Sequence, residues 1–346
     1  MVSQAAQFEA LLEHYAPGVA AAFRASIADI AKHANVRKMV AALKAGDVTA
    51  AIEAMHIDES AFTEFEEAFR EVFIRAGNDT ADAIPPFDDE AGNPVRIRFS
   101  GRHPLAERFL SDHSGQLITD VTVDMRQAVR ETMTKALALG KNPTTIVAET
   151  VGRVNRVSGR REGGVLGLTT QQARAVDRAA DELSSGDPAA LSDYLARKLR
   201  DKRHDKSISA ALKAGKPVPE TVATRALSSY RNRLLAHRAK IIGRTEVMTA
   251  LNKGRDQAYE QAVAEGKLKA ENITKKWRDA HDMRVRHSHA ILGSRPPILF
   301  TEYFVSPETG AMMRFPMDSS MGATASDIIG CRCTCEYKVD VFAGVR

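Results

Sequence analysis

The stretch AFTEFEEAFREVFIRAG places Phe62, Phe65, Phe69 and Phe73 three or four residues apart. That spacing puts the four rings on one stripe of an α-helix, with Glu64, Glu66, Glu67 and Arg70 largely off it. The spacing returns through Ile118, Val121, Met125, Val129 and Leu137 in LITDVTVDMRQAVRETMTKALALG. Such stripes are buried by packing helix against helix. Aromatic residues make up only 6% of the chain and alanine is abundant, which favours helix over sheet. With 346 residues there is length for two or three cores.

Punctuation along the chain suggests where elements stop. Asn142–Pro143 reads as a helix N-cap followed by proline in the first helical position, and Gly140 is placed to end the helix before it. Thr169 with Gln172 three residues on is a capping-box pattern. The Pro-, Gly- and Asp-rich run DAIPPFDDEAGNP (82–94) is the best boundary in the first third. PVRIRFSGRHPLAERFLSDHSG, which follows, looks too broken for a long element. Residues 185–224 read as short segments. A long basic helix follows from Arg225, with Gly243 and Gly254 expected to bend it or split it. From Lys276 the texture changes to short β-branched and aromatic runs, in KKWRD, ILFTEYFV and CEYKVDVF. PETGAMMRFPMD has the look of a hairpin with a ragged loop. The expected fold is mainly α with a small α+β C-terminal domain. The expected division is an acidic helical region (1–82), an irregular linker (83–115), a basic helical domain (116–239) and the α+β domain (240–346).

Charge is distributed unevenly. The first hundred residues hold 16 Asp and Glu against 9 Lys and Arg, whereas 191–244 hold 14 Lys and Arg against 4 Asp and Glu. A basic middle suits nucleic acid, an acidic protein surface or plain solvation. The start, MVSQAAQFEALLEHY, has neither the basic end nor the apolar run of a signal peptide. No uninterrupted apolar run approaches the roughly 20 residues that span a bilayer. Signatures of phosphate-binding loops, dinucleotide folds, zinc proteases and serine hydrolases are missing.

Three groups of residues carry candidate chemistry. All three cysteines fall in GCRCTCEYKV, as Cys331, Cys333 and Cys335. With His287 and His289 upstream they offer thiolate and imidazole, the ligands zinc favours. On a straight strand alternate cysteines lie ~6–7 Å apart, so chelation needs a turn, and Gly330 is the nearby residue that offers one. The alternative is three small side chains facing inward on a strand. A redox role, with Arg332 lowering a thiol pKa, lacks the usual two-residue cysteine spacing. The second group is DAHDMRVRHSHA, where Asp282 is placed to cap a short helix carrying Arg286 and His289. These residues suit either a catalytic base or local pairing. The third is the basic set Arg197, Lys198, Arg200, Lys202 and Arg203 with Arg231, Arg233, Arg238 and Lys240, candidates for non-specific contact with a DNA backbone.

In the last third, IIGRTEVMTALNKGRDQAYEQA, KKWRDAHDMRVRHSHAILG, a Pro-Met-Asp turn and GCRCTCEY occur in that order. This resembles the phage head-morphogenesis family, the Mu F-like minor head proteins. Arg244, Thr245 and Glu246 match that family's Arg-Thr-Glu helix, and Trp277 its Trp strand. Asp282, Arg284, Arg286 and His289 match its polar segment, and Cys331, Arg332 and Cys333 its closing Cys-Arg-Cys. Gly330 stands where Asn is usual, and Cys335 is an addition. The resemblance covers roughly residues 240–340 and extends more weakly upstream. It implies a low-copy virion protein acting in head morphogenesis, made in the host bacterial cytoplasm. The partners it implies are the portal and the major capsid protein, with packaged DNA beside them. No cofactor is expected beyond a possible zinc. It also implies that Asp282, Arg284, Arg286, His289, Cys331, Arg332 and Cys333 meet and staple the C-terminal domain. Zinc held by His289, Cys331, Cys333 and Cys335 would do the same work. The alternative is a metal-dependent nuclease or transferase using Asp282, His289 and the thiols.

Overall fold

A computed structural model describes residues 4–88 and 91–340. Residues 1–3 of the N-terminal stretch, 89–90 of the Pro-rich run and 341–346 of the C-terminal region lie outside the described residues. The protein is mostly helical with small antiparallel sheets. In chain order come α1 (Gln4–His33), α2 (Val36–Lys44), α3 (Val48–Glu53) and α4 (Thr63–Ala83), then α5 (Pro104–Ala138) and α6 (Pro143–Val151). α7 (Thr170–Ser185), α8 (Pro188–Ala196), α9 (Asp205–Ala214) and α10 (Glu220–Ala264) complete the helical body, and α11 (His287–Ser294) and α12 (Ala325–Ile328) lie near the end. Two-residue strands form hairpins β1 (Phe87–Asp88) with β2 (Pro94–Val95), and β3 (Arg153–Val154) with β4 (Arg161–Glu162). The C-terminal sheet has β5 (Ile273–Arg278) at its centre, flanked by β6 (Ile298–Leu299) and, beyond the hairpin of β7 (Phe304–Val305) with β8 (Met312–Met313), by β9 (Thr334–Val339). No helix among the described residues is long and apolar enough to cross a membrane.

The chain forms two compact units, each built from discontinuous stretches. One comprises Met1–Ala21, Phe65–Ser114 and Lys240–Arg346, and the other Ala22–Glu64 and Gly115–Ala239. In the second, Ala173, Val176, Ala179 and Leu183 of α7 pack with Leu191 and Tyr194 of α8, Ile208 of α9 and Ala226, Tyr230 and Leu234 of α10. The short helices hold because their first amides are capped. Asn142 accepts from the Thr144 amide at 2.8 Å with Pro143 behind it, and Thr169 and Gln172 close a reciprocal capping box. In the first unit the buried Phe65, Phe69 and Phe73 of α4 lie with Leu12 of α1 and Leu251 of α10 in the core.

Two expectations fail here. The segment taken as too broken for a long element contains the first turns of α5, a 35-residue helix. Its inward stripe runs Ala106, Leu110, Ser114 and Ile118, all buried, so a serine stands where the apolar period calls for a hydrocarbon. The glycines expected to bend or split the basic helix do not split it. α10 runs unbroken for 45 residues. Gly243 and Gly254 are points of close approach: a Cβ at Gly243 would meet the Ala16 carbonyl oxygen at 2.6 Å, and one at Gly254 the Phe73 carbonyl oxygen at 2.5 Å. The absent methyl lets two helix backbones touch. Gly254→Ala should therefore lower stability by about 1–3 kcal/mol as the helices part. Gly115→Ala, on the exposed face of α5 with open space around it, should raise stability by about 0.5–1 kcal/mol. Urea unfolding of the two variants side by side checks both signs.

Candidate functional site

The C-terminal sheet sets the geometry. β5 and β9 pair antiparallel with Trp277 opposite Cys335 and Lys275 opposite Tyr337. Residues opposite one another share a face, and these four are buried. Upstream of β9 the chain turns. Gly330 adopts φ +70°, and the Cys331 amide donates to the Ile328 carbonyl at 2.9 Å. That turn folds Cys331 back beside Cys333, whose own amide donates to Cys331 Sγ at 3.4 Å. So only Cys335 belongs to a strand, and the expectation of three alternate thiols on one strand is corrected by the turn at Gly330.

Helix α11 brings the imidazole. His287 and His289 are two residues apart on a helix and cannot share a face. His287 is exposed, while His289 is buried. His289 Nδ1 lies 3.5 Å from Cys331 Sγ and 3.5 Å from Cys333 Sγ. Among the described residues, these three form the group of metal-ligating side chains whose donor atoms lie within 4.8 Å of one another. Cys335, a candidate ligand from sequence, is not in it. It is fully buried, and burial pushes its thiol up to about 12. Of the facing pair, Cys331 releases its proton more readily than an ordinary thiol, because Cys333 and then His289 hydrogen-bond to its sulfur against the opposing effect of burial. The same contact, with burial, holds Cys333 up. The Trp277 ring stands edge-on to His289 with centroids 5.2 Å apart.

The polar segment closes over the outside of this group. Asp282 does not cap α11, which begins five residues later behind Arg286. It folds its own loop, accepting from the Arg284 amide at 2.9 Å, and takes Arg332 at 2.6 Å. Arg332 thus points at a carboxylate and away from the thiols, and its hydrogen bond holds the Asp282 carboxyl well below the usual range. Arg286 donates to the Ile329 carbonyl, just ahead of the turn. The Arg284 side chain is exposed, 3.5 Å from Asp282. The Gly330 amide reaches Thr245 Oγ1 of α10 at 3.4 Å, Glu246 pairs with His113 at 2.7 Å, and Arg244 lies near Glu9 and Glu13. One anchor escapes sequence reasoning. Asn252, fully buried on α10, donates to the Cys333 carbonyl at 3.1 Å. A lone Asn inside a helix carries no signal of an acceptor 81 residues away.

The basic candidates sit elsewhere, and the arginines are engaged. Arg197 binds Glu182, Arg200 binds Asp205, and Arg203 and Arg233 both reach the buried Asp201. Arg231 donates to the Gly163 carbonyl, and Arg238 to Gly167 with Asp124 nearby. Lys198, Lys202 and Lys240 are exposed.

Lys275 is the unexpected cation. It is fully buried, its ammonium has no hydrogen-bond partner among the described residues, and it rests 5.7 and 5.5 Å from the Phe300 and Phe304 ring centroids. Burial lowers its pKa from the ordinary 10.5. An unpaired buried polar group costs ~1–3 kcal/mol, and two ring faces return part of that. Lys275→Met should therefore stabilise by about 1 kcal/mol at pH 7. Between the lowered folded value and 10.5 the unfolded chain binds more protons, so wild-type stability rises with pH through that window. The advantage of Lys275→Met should shrink as pH approaches 10.5, and paired urea titrations at pH 7 and pH 10 read the difference.

Comparison with protein-family models, with curated proteins and with solved structures finds no match to this chain.

Proposed function

We propose that this chain is a phage or prophage minor head protein, an interaction protein of head morphogenesis that docks on the portal or the inner capsid. The single observation that carries the reading is convergence. Four sequence segments whose order resembles the Mu F-like family meet in one clasp with a buried centre: the Thr245 turn of α10, the Trp277 strand, the 282–289 segment and the Cys-Arg-Cys turn. The groups that would do chemistry are sealed. His289 is 1% exposed and both facing cysteines 3%, so no polymer end reaches them. Asp282, which a nuclease or transferase would use together with His289, is instead neutralised by Arg332. Fastening a loop recovers the entropy of closing it and gives the domain a fixed outer surface, which is what docking needs.

Contact with packaged DNA would fall to Lys198, Lys202 and Lys240, since the arginines around them serve acids and carbonyls of their own chain. Mass spectrometry of purified heads, with capture of the portal by the purified protein, tests the reading. The chain should be present in heads at low copy and should retain the portal. Absence from heads together with no capture of portal or capsid protein ends it.

A further inference from the structure

The contact between His289 and the two cysteines has a feature that a hydrogen bond from one imidazole nitrogen does not account for. Both sulfurs stand at 3.5 Å from the same nitrogen, Nδ1. A neutral imidazole nitrogen has one in-plane lone pair or one proton, so Nδ1 pairs with one sulfur at a time, and the two sulfurs otherwise have each other and the Cys333 amide. A cation at the centre of the triangle serves all three atoms at once. Tetrahedral ligation at ordinary zinc bond lengths places sulfur and nitrogen about 3.6 Å apart and two sulfurs about 3.8 Å apart. The observed separations match the first figure, and the three donors lie together within 4.8 Å.

The surroundings suit thiolates as well. The Cys333 amide points at Cys331 Sγ, and an N–H aimed at sulfur supports negative charge there. Asn252 fixes the Cys333 carbonyl from α10, so the turn is held before any ion arrives. Cys335, two residues on, faces Trp277 across the ladder and takes no part. It serves as an internal control.

We propose that His289, Cys331 and Cys333 form a binding site for a borderline-soft d10 cation, zinc(II), tying α11 to the turn ahead of β9. The site supplies three protein ligands, all buried, and a tetrahedral ion there takes one small ligand more, such as a single enclosed water. It spans chain separations of 42 and 44 residues, so the ion closes a long loop. Because it rests on three side chains, the site stands whether or not the chain docks on a phage head.

The test uses the full chain from zinc-supplemented culture, purified without chelator. Elemental analysis should find about one zinc per chain. After stripping, cobalt(II) should give sulfur-to-cobalt charge-transfer absorption and the intense visible bands of a tetrahedral ion. Cys335→Ser should leave both results unchanged, while His289→Ala or Cys333→Ser should weaken metal affinity at least tenfold. Should those variants fail to fold, the wild-type cobalt titration and the Cys335→Ser control decide alone. A zinc-free chain that gives no charge-transfer band in excess cobalt overturns the site. So does a band that survives Cys333→Ser or is lost in Cys335→Ser.

Discussion

Trp277→Ala should destabilise the unit containing the C-terminal sheet by about 3–5 kcal/mol, the range for deleting a large buried aromatic. Trp277 is the sole tryptophan, 1% exposed. Its ring fills the space between His289 and Phe304, with centroid distances of 5.2 and 5.3 Å and edge-on geometry to both. Its ladder partner is Cys335, so the cavity left by alanine opens directly behind the clasp. Neighbours held by a β-ladder and a short helix cannot collapse into a space of that size, which places the cost near the top of the range. Trp277→Phe, which keeps a ring, should cost less than half as much. Urea unfolding followed by circular dichroism measures both. An alanine variant within 1 kcal/mol of wild type would mean that the ring is not the wedge described here.

The second large effect belongs to Asp256. It is fully buried on α10 and accepts from the Tyr337 hydroxyl at 3.2 Å, with Lys253 Nζ at 3.3 Å and the Arg314 guanidinium at 3.7 Å. Lys253 also meets Glu260 at 3.4 Å and lies over the Phe109 and Phe315 rings. Removing the carboxylate leaves Glu260 alone, 3.4 Å from Lys253 and 3.0 Å from Arg314, to serve both cations and takes the acceptor from the Tyr337 hydroxyl, and breaking a buried pair in this way costs about 3–5 kcal/mol. Asp256→Asn keeps an acceptor for Tyr337 and loses the charge, so it should fall between wild type and Asp256→Ala. Trp277 fluorescence during urea unfolding reports on this unit. Equal stabilities for Asp256→Ala and wild type would show that Glu260 alone neutralises Lys253 and Arg314.

Parts of this architecture are legible in the residues because their causes are local. Phe65, Phe69 and Phe73 are buried along α4, as their spacing requires, whereas Phe62, also buried, ends a 3-10 turn (Glu59–Phe62) ahead of that helix and is not on its stripe. The caps at Asn142 and Thr169 form as written, since a cap involves residues two or three apart. The mainly helical fold with a small C-terminal sheet follows from the change in texture from Lys276. Elements that depend on distant partners are not legible in this way. From Thr245 to Lys253 every residue of α10 is buried, so that stretch has no polar face to betray its orientation. Several polar residues of α10 find partners far along the chain: Glu246 with His113, Asn252 with Cys333 and, beyond that stretch, Gln261 with Ser100. Gly243 and Gly254 read as breakers because their role lies in contacts with α1 and α4. At the clasp, residue types and order could be read, but the choice of His289 over His287 and the exclusion of Cys335 wait on the helix phase and the Gly330 turn.

Hydrogen exchange on the native chain tests most directly whether the Cys-Arg-Cys turn and α11 act as one fastening. Amides of 288–294 and 331–335 should open together, with a single free energy, and His289→Ala should accelerate both sets alike while leaving α7 and α8 in the other unit unchanged. Independent opening of the two segments, or acceleration confined to α11, would contradict the account.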